Sequence, residues 1–271
     1  MMQFSSIGSG SKGNGTLIRS GDTLLMVDCG FSLKETLRRL DCRGVAPEQL
    51  TAILVTHEHG DHINGVAALA RRFDIPVYLS AGTRYVGKLD SVPRLQIIAD
   101  AAPVAIGEIE VLPVAVPHDA REPLQYIFRA GGMSLGVLTD LGCITRHVAD
   151  CYGDCDGMLL ECNHDPHMLS VGSYPPSLKS RVGGIYGHLS NQQASELLRL
   201  IDTPRIQHLV VAHISEQNND SELVLEQLLP HIERSRLRFA DQANGFEWVE
   251  LEARPEPIEF DPGGAAGQPL Q

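Results

Sequence analysis

Residues 52–62, AILVTHEHGDH, decide the fold class of this 271-residue chain. The apolar, β-branched run at 52–56 predicts a buried strand. The segment HEHGDH follows directly, and loops at strand ends often carry functional side chains because the scaffold beneath them is rigid. It places three histidines and an aspartate within six residues, and Gly60 gives the backbone freedom to curl around a centre. Imidazole and carboxylate groups together suit zinc, manganese or iron, so we predict a metal site.

Apolar spacing outside this loop predicts an α/β fold. Residues 33–42, 66–73 and 191–201 have helical spacing, whereas 206–213 reads as another buried strand. Residues 237–251 read as a hairpin that turns at an Asn-Gly pair. Strands come in runs separated by single helices, and the two halves of the chain are similar in style. This pattern predicts two mixed β-sheets packed face to face, with helices outside.

Composition bounds the organisation and the environment of the chain. Residues 1–252 are expected to form a single domain, and the Pro/Gly-rich stretch 253–271 a disordered C-terminal tail. No apolar run reaches the roughly 20 residues of a membrane span. The N-terminus lacks the pattern of a secretory signal, and six cysteines without a C-x-x-C pair indicate free thiols in the cytoplasm. A net charge of −12 argues against a surface that binds nucleic acid everywhere, but it leaves room for a local basic patch.

The H-x-H-x-D-H motif at 57–62 resembles the hallmark of the metallo-β-lactamase superfamily. Four further residues, each following an apolar run, match other positions of the family in the same order. They are Asp28 before the motif and His118, Asp140 and His213 after it. Together they cover most of the chain, and the joint match is far more specific than any one member. The resemblance implies a four-layer αββα sandwich of two mixed β-sheets, with Asp28 supporting the metal loop.

The same resemblance implies a site for two divalent metal ions. One metal would be held by His57, His59 and His118. The other would be held by Asp61, His62 and His213, with Asp140 shared between the two. Such a ligand set leaves room for a metal-bridging hydroxide, because two cations depress the pKa of bound water and also neutralise charge on a phosphodiester.

The branch of the family is indicated by two positions. Antibiotic-hydrolysing members of one class carry cysteine where this chain has Asp140, and a bridging aspartate is typical of phosphodiesterases and thioesterases. The segment GHLSN at 187–191 resembles the histidine motif that related phosphodiesterases place beside the metals, so His188 would protonate the leaving oxygen. A helix cap at Ser190 or Asn191 with an incidental histidine is the alternative. We favour catalysis, and Asp61 joins His188 as an expected catalytic residue.

Short segments resemble the YycJ-type (WalJ-type) subgroup, which is associated with 5′-to-3′ DNA exonuclease activity. They are SGSKGN near the N-terminus, NHD at 163–165, YPPSLKSRV at 174–182 and HISEQNN from 213. Expected substrate-binding residues are Lys179, Arg181, Tyr174 and His164, with Tyr174 able to stack on a base and the two cations able to hold phosphates. A Pro-bent surface loop with solvated charges explains 174–182 equally well.

Three functions follow from these features. The first is a dinuclear-metal-dependent phosphodiesterase acting on nucleic acid, most simply a 5′-to-3′ DNA exonuclease. The second is a small-molecule hydrolase of the same superfamily, either a thioesterase or a cyclic phosphodiesterase. The third is a metal-binding scaffold without activity, against which the complete ligand set counts. A DNA groove requires several cations near the metals, and Lys12, Lys179 and Arg181 are the candidates.

Overall fold

A computed structural model describes residues 1–253, which form two seven-stranded sheets. The first sheet contains, in spatial order, β14 (Phe246–Leu251), β1 (Met2–Gly8), β2 (Gly15–Ser20), β3 (Thr23–Val27), β4 (Ala52–Leu54), β5 (Val77–Leu79) and β6 (Leu95–Ile97). The second contains β13 (Leu237–Phe239), β12 (His208–Ala212), β11 (Gly157–Glu161), β10 (Met133–Leu138), β9 (Leu124–Ala130), β8 (Ile109–Ala115) and β7 (Val104–Ile106).

Both sheets are mixed and follow the same plan. In the first, β14, β1, β2 and β3 pair antiparallel, and β3 to β6 continue in parallel. In the second, β7, β8, β9 and β10 pair antiparallel, and β10 to β13 continue in parallel. The prediction of two mixed sheets is confirmed, and the similar style of the two halves reflects this shared strand order.

Helices lie on the outer faces and in the connections. They are α1 (Leu33–Cys42), α2 (Gly60–Ile63), α3 (Val66–Phe73), α4 (Ala81–Tyr85), α5 (Arg146–Tyr152), α6 (Pro166–Val171), α7 (Pro176–Val182), α8 (Asn191–Leu200) and α9 (Ser221–Leu228), with 3₁₀ turns at Pro47–Gln49, Thr203–Arg205 and Arg234–Arg236. The first and third helices have the predicted bounds. The α8 helix begins with a capping box, in which Ser190 accepts from the backbone N–H of Gln193 and the Gln193 side chain accepts from the backbone N–H of Ser190.

Three apolar layers hold the fold together. Buried side chains of both sheets, including Phe4, Leu25, Tyr126, Phe128 and Leu135, form the central layer. A second layer lies between the first sheet and α1 and α3, and a third lies between the second sheet and α5, α8 and α9. This is the predicted four-layer αββα arrangement. Each sheet is covered on both faces, which explains why its strands read as continuous apolar runs in the sequence.

Two local predictions are wrong. Residues 237–251 do not form a hairpin: β13 pairs with β12 and β14 pairs with β1, so the chain crosses from one sheet to the other. Only one antiparallel bridge, between Asp241 and Gly245, joins the two arms of the turn. The Asn-Gly signal marked the turn, but packing of Phe246 against Phe4, with ring centroids 5.5 Å apart, places β14 in the first sheet. Residues 174–182 are largely helix α7 rather than a loop.

The described residues end one position into the predicted tail. Residue 253 is described, and 254–271, for which we predict disorder, lie outside the described part of the chain. No helix among the described residues combines the length and apolarity that a bilayer span requires.

Candidate metal centre

Five strand ends deliver the polar side chains of the site to one edge of the sandwich. Asp28 follows β3, the HEHGDH loop follows β4, Asp140 follows β10, Glu161 ends β11 and His213 follows β12. All five strands belong to the parallel parts of the two sheets, where carboxyl ends meet at the same edge. Ligand binding outside the carboxyl ends of parallel strands is the general rule for such sheets.

Backbone strain is concentrated at this edge. Asp28, Asp140 and His213 adopt positive φ angles of 60°, 54° and 51°. A left-handed conformation is uncommon for residues other than glycine, and it persists only where the surrounding structure enforces it. Each residue comes directly, or one position, after a strand that is fixed by its neighbours. The strands therefore turn these three side chains toward a common point.

His57, His59 and His118 form the first group of nitrogen atoms. Nε2 of His57 lies 3.0 Å from Nδ1 of His59, which lies 3.4 Å from Nε2 of His118. Burial lowers the pKa of His57 and of His118, so both rings are neutral near pH 7. Nδ1 of His118 donates to the carbonyl of Gly187 at 3.0 Å, which leaves its Nε2 lone pair free. Converging neutral imidazoles with free lone pairs are suited to binding a cation.

Asp28 supports the HEHGDH loop through hydrogen bonds to Thr56 and a contact with His62. Its Oδ1 accepts from the backbone N–H of Thr56 at 2.9 Å, and its Oδ2 accepts from the Thr56 hydroxyl at 2.8 Å. The same Oδ2 lies 2.8 Å from Nδ1 of His62. Burial lowers the pKa of His62, but the charges of Asp140 and Asp28 outweigh it and raise this pKa well above its usual value. The contact fixes the ring so that Nε2 faces Asp61 at 3.5 Å and Asp140 at 3.4 Å.

Asp140 lies between the two halves of the site. It is 2% exposed, and its Oδ1 is 3.0 Å from Nδ1 of His213. Its Oδ2 is buried, makes no hydrogen bond among residues 1–253, and lies 3.4 Å from Nε2 of His62. Burial raises the pKa of this carboxyl, but His213 and His62 hold it well below its ordinary value. A buried carboxylate oxygen without a donor is costly, and a bound cation would satisfy it.

Glu161 is the residue that sequence reasoning missed. It is fully buried, and its Oε1 lies 2.8 Å from Nδ1 of His188 and 3.0 Å from Nδ1 of His213. Its Oε2 accepts from the backbone N–H groups of Leu141 at 3.2 Å and Leu189 at 3.0 Å. Burial raises the pKa of Glu161, but His188 and His213 together lower it to about 2. The sequence signal that could have identified Glu161 is a single acidic residue at the end of the apolar run GMLLE.

The candidate ligands form three overlapping sets. One is the set His57, His59 and His118, and a second joins His57 and His62 to Asp140. A third set brings Asp140 together with Glu161, His188 and His213, whose ligand atoms also lie within 4.8 Å of one another. Asp61, in the same loop, contacts these sets through Nε2 of His62. His188 therefore stands close enough to be a ligand as well as a proton donor, and the assignment of its role stays a prediction.

A cleft of about 390 Å³ opens onto these groups. Its lining includes Asp61, Asp119, Asp140, His188, His213, Tyr174, Leu178 and Arg181. Three carboxylates face it, whereas the one arginine among the described residues of its lining, Arg181, hydrogen-bonds to Asp119. Burial raises the pKa of Asp119, but Arg181 and His118 hold it below its ordinary value. With one arginine, already paired, and no lysine in its lining within residues 1–253, the cleft has few cations for a polyanion, and bound metal ions would supply more.

The expected substrate-binding residues separate into two pairs. Tyr174 and Arg181 line the cleft. Lys179 does not, because its ammonium donates to the carbonyl of Ser170 at 2.6 Å. His164 is 3% exposed and lies outside the lining. Lys12, a further candidate, pairs with Glu216 at 2.7 Å. Of the three cations chosen from the sequence, Arg181 lines the cleft and Lys12 and Lys179 do not.

Comparisons with known proteins agree with this geometry. A family model described as the beta-lactamase superfamily domain matches residues 23–214. Exodeoxyribonuclease WalJ of Streptococcus pneumoniae serotype 2 (strain D39 / NCTC 7466) is 33% identical over 261 residues, covering 94% of this chain and 95% of the relative. Exodeoxyribonuclease YycJ of Bacillus anthracis is 34% identical over 227 residues, covering 82% and 86%.

Solved structures show the same fold. The metallo-beta-lactamase fold protein YhfI from Bacillus subtilis aligns with a TM-score of 0.72 and 18% identity, covering 92% of this chain and all of that one. Zn²⁺-bound PqqB from Methylobacterium extorquens aligns with a TM-score of 0.69 and 16% identity, with the same coverage. The predicted αββα sandwich is confirmed.

Proposed function

Because the chain belongs to the beta-lactamase superfamily, we propose that it is a metal-dependent phosphodiesterase that degrades DNA from a 5′ end. Two relatives named as exodeoxyribonucleases share 33% and 34% identity with it over most of both chains. The observation that carries the proposal is Asp140, a buried carboxylate whose Oδ2 has no hydrogen-bond partner in the described chain and which lies between two groups of histidines. A hydrolase with two divalent cations accounts for all of these features.

The metal ions fit the residues present. His57, His59 and His118 would hold one cation, and Asp61, His62 and His213 the other, with Asp140 shared. Bound divalent cations supply Lewis acidity, which lowers the pKa of water and neutralises charge on the phosphodiester. Nitrogen and carboxylate donors of this kind suit zinc or manganese, with iron as a further option.

The proposal assigns His188 the proton of the leaving oxygen. Its side chain is 20% exposed and lines the cleft. Nδ1 donates to the buried carboxylate of Glu161, so Nε2 is the ring nitrogen available on the cleft side. Glu161 is itself fixed by two backbone N–H groups, which makes it a positioning residue for His188. This is the arrangement of a general acid held by a fixed carboxylate.

A digestion series on the metal-loaded protein tests the proposal. It compares 5′-phosphorylated duplex DNA, the same duplex with the 5′ end blocked, single-stranded DNA, RNA, a thioester and bis(p-nitrophenyl) phosphate. We expect DNA to be shortened from the 5′ end, and the blocked duplex to resist. Faster hydrolysis of the thioester or the small phosphodiester than of any DNA would favour a small-molecule hydrolase instead.

The proposal includes a cytoplasmic location. Six free cysteines, three of them buried, support it because unpaired thiols persist in a reducing compartment. Fractionation of cells that express the tagged chain would test this, and recovery in an extracytoplasmic fraction would contradict it.

A further inference from the structure

We propose that Tyr85, Arg84, Lys88 and Arg121 form a binding surface for a single-stranded stretch of polynucleotide, on the rim beside the metal loop. This inference rests on the proposed function and deepens it, because it names the form of the substrate. The surface, called the α4 rim below, consists of these four residues, and none of them belongs to the predicted ligand set.

The α4 rim is attached directly to the metal loop through Glu58. Oε1 of Glu58 accepts from the backbone N–H of Arg121 at 2.9 Å, and its backbone carbonyl accepts from the Lys88 ammonium at 3.3 Å. Thr83, on α4, donates to Oε2 of Glu58 at 3.5 Å. Glu58 stands between His57 and His59, so the rim lies one residue away from two predicted ligands. The rim therefore contacts the residue that separates two predicted ligands in the metal loop.

An exposed aromatic ring marks the centre of the rim. Tyr85 is 76% exposed, and the Arg121 guanidinium lies 4.6 Å from its ring centroid. The cation–π contact holds the ring on one face without burying it. Proteins that bind single strands use such rings as platforms, because every base has a π-face that stacks without regard to sequence. Tyr85 therefore offers a sequence-tolerant stacking site.

Arg84 and Arg121 are the cations of the rim that are most available for phosphates, because the Lys88 ammonium also donates to the carbonyl of Glu58. Arg84, Lys88 and Arg121 are exposed, and none forms an ion pair with a carboxylate within residues 1–253. Elsewhere near the cleft, Lys12 pairs with Glu216 and Arg181 with Asp119. Arg84 and Lys88 lie within three residues of Tyr85 in the sequence, and Arg121 stacks on its ring, so three exposed cations accompany one exposed aromatic side chain. They supply the cationic track that the sequence candidates do not form.

The combination favours a single strand over a duplex. Bases in a duplex already stack on one another, so their faces are closed to a side chain, whereas unpaired bases are free to stack on Tyr85. Phosphates of the same stretch would contact the three cations. A rim built only for duplex DNA would need the cations and not the exposed ring.

Equilibrium binding tests the α4 rim without requiring hydrolysis. Fluorescence anisotropy would measure the affinity of the protein, in EDTA, for a labelled 20-nucleotide single strand and for the matching duplex. Variants are Tyr85→Ala, Tyr85→Phe and Arg121→Gln. The matched control is Arg199→Gln. Arg199 is exposed and lies in the last turn of α8, about 12 Å along the helix axis from the first residue of that helix. Hydrolysis of bis(p-nitrophenyl) phosphate by the metal-loaded variants reports on the metal centre.

We expect Tyr85→Ala to weaken single-strand binding by roughly 5- to 100-fold, because one base–aromatic stack is lost. Tyr85→Phe should retain the affinity, and Arg121→Gln should flatten the log–log salt dependence by about 0.7. The control and the small phosphodiester should be unaffected. Unchanged single-strand affinity in Tyr85→Ala, or equal loss in Arg199→Gln, would overturn the inference. A wild-type protein that binds the strand but degrades no polynucleotide would contradict the proposed function alone.

Discussion

The substitution Glu161→Gln tests whether Glu161, which sequence analysis did not identify, positions His188. The carboxylate receives four contacts, from His188, His213 and two backbone N–H groups, on its two oxygens. A glutamine of the same size has one oxygen and one NH₂ group. If the oxygen keeps the backbone donors, the NH₂ group faces Nδ1 of both histidines and forces the opposite tautomers. That orientation keeps the contacts only if both histidine rings change tautomer, and the opposite orientation loses both backbone N–H contacts.

The structure sets the size of the effect. Loss of a partner that orients a ligand or catalytic histidine typically costs about 10–100-fold in activity. Burying an unpaired donor costs about 1–3 kcal/mol of stability. We therefore expect turnover on DNA, at saturating metal, to fall by about 10–100-fold, and urea unfolding to show a loss of about 1–3 kcal/mol. Glu233→Gln, an exposed glutamate, serves as the control and should change neither quantity.

A double-mutant cycle with His188→Ala provides the refutation. If Glu161 acts through His188, Glu161→Gln should add little to the loss of turnover already caused by His188→Ala. Turnover losses that multiply in the double variant would show that the two residues act independently. Full turnover in Glu161→Gln, with metal bound, would also refute the positioning role.

Three further outcomes are expected. His188→Ala should lower turnover by roughly 10²–10⁴-fold with metal content unchanged, and loss of metal would make His188 a ligand. Arg181→Ala should weaken DNA binding and flatten the log–log salt slope by about 0.9, whereas Lys179→Ala, whose ammonium is held by a carbonyl, should match wild type; the reverse result would contradict the cleft assignment. In metal-free protein, the pKa of Glu161 at about 2 lies below its ordinary value of 4.5, so its stabilising contribution is present above pH 4.5 and is lost as the pH falls toward 2. Acid unfolding of Glu161→Gln should lack that component, and identical acid profiles would count against it.

The fold and the convergence of most candidate ligands could be predicted because their signals are local. Buried strands read as apolar runs, and His57, His59 and His62 follow one of them within six residues. Asp140 and His213 could be chosen because each follows such a run and matches the order of the superfamily motifs. The hairpin prediction failed because strand pairing depends on distant packing, here Phe246 against Phe4.

The surroundings of the metals could not be predicted in the same way. Glu161 has no motif of its own, and its role depends on contacts with residues 20 to 52 positions away. Lys179 has the right charge in the right segment, but helix α7 directs its ammonium to a carbonyl. Whether a cationic side chain lines the cleft depends on its direction and its ion pairs, and neither can be read from the sequence pattern. The α4 rim was overlooked for the same reason.

Metal stoichiometry tests the central claim most directly. Elemental analysis of the chain after full loading should find two divalent ions per molecule. Asp140→Ala, checked for native secondary structure by circular dichroism, should lose bound metal and nearly all hydrolysis, because the shared carboxylate is absent. At most one ion per fully loaded wild-type chain, or an Asp140→Ala variant that still degrades DNA, would contradict the dinuclear site.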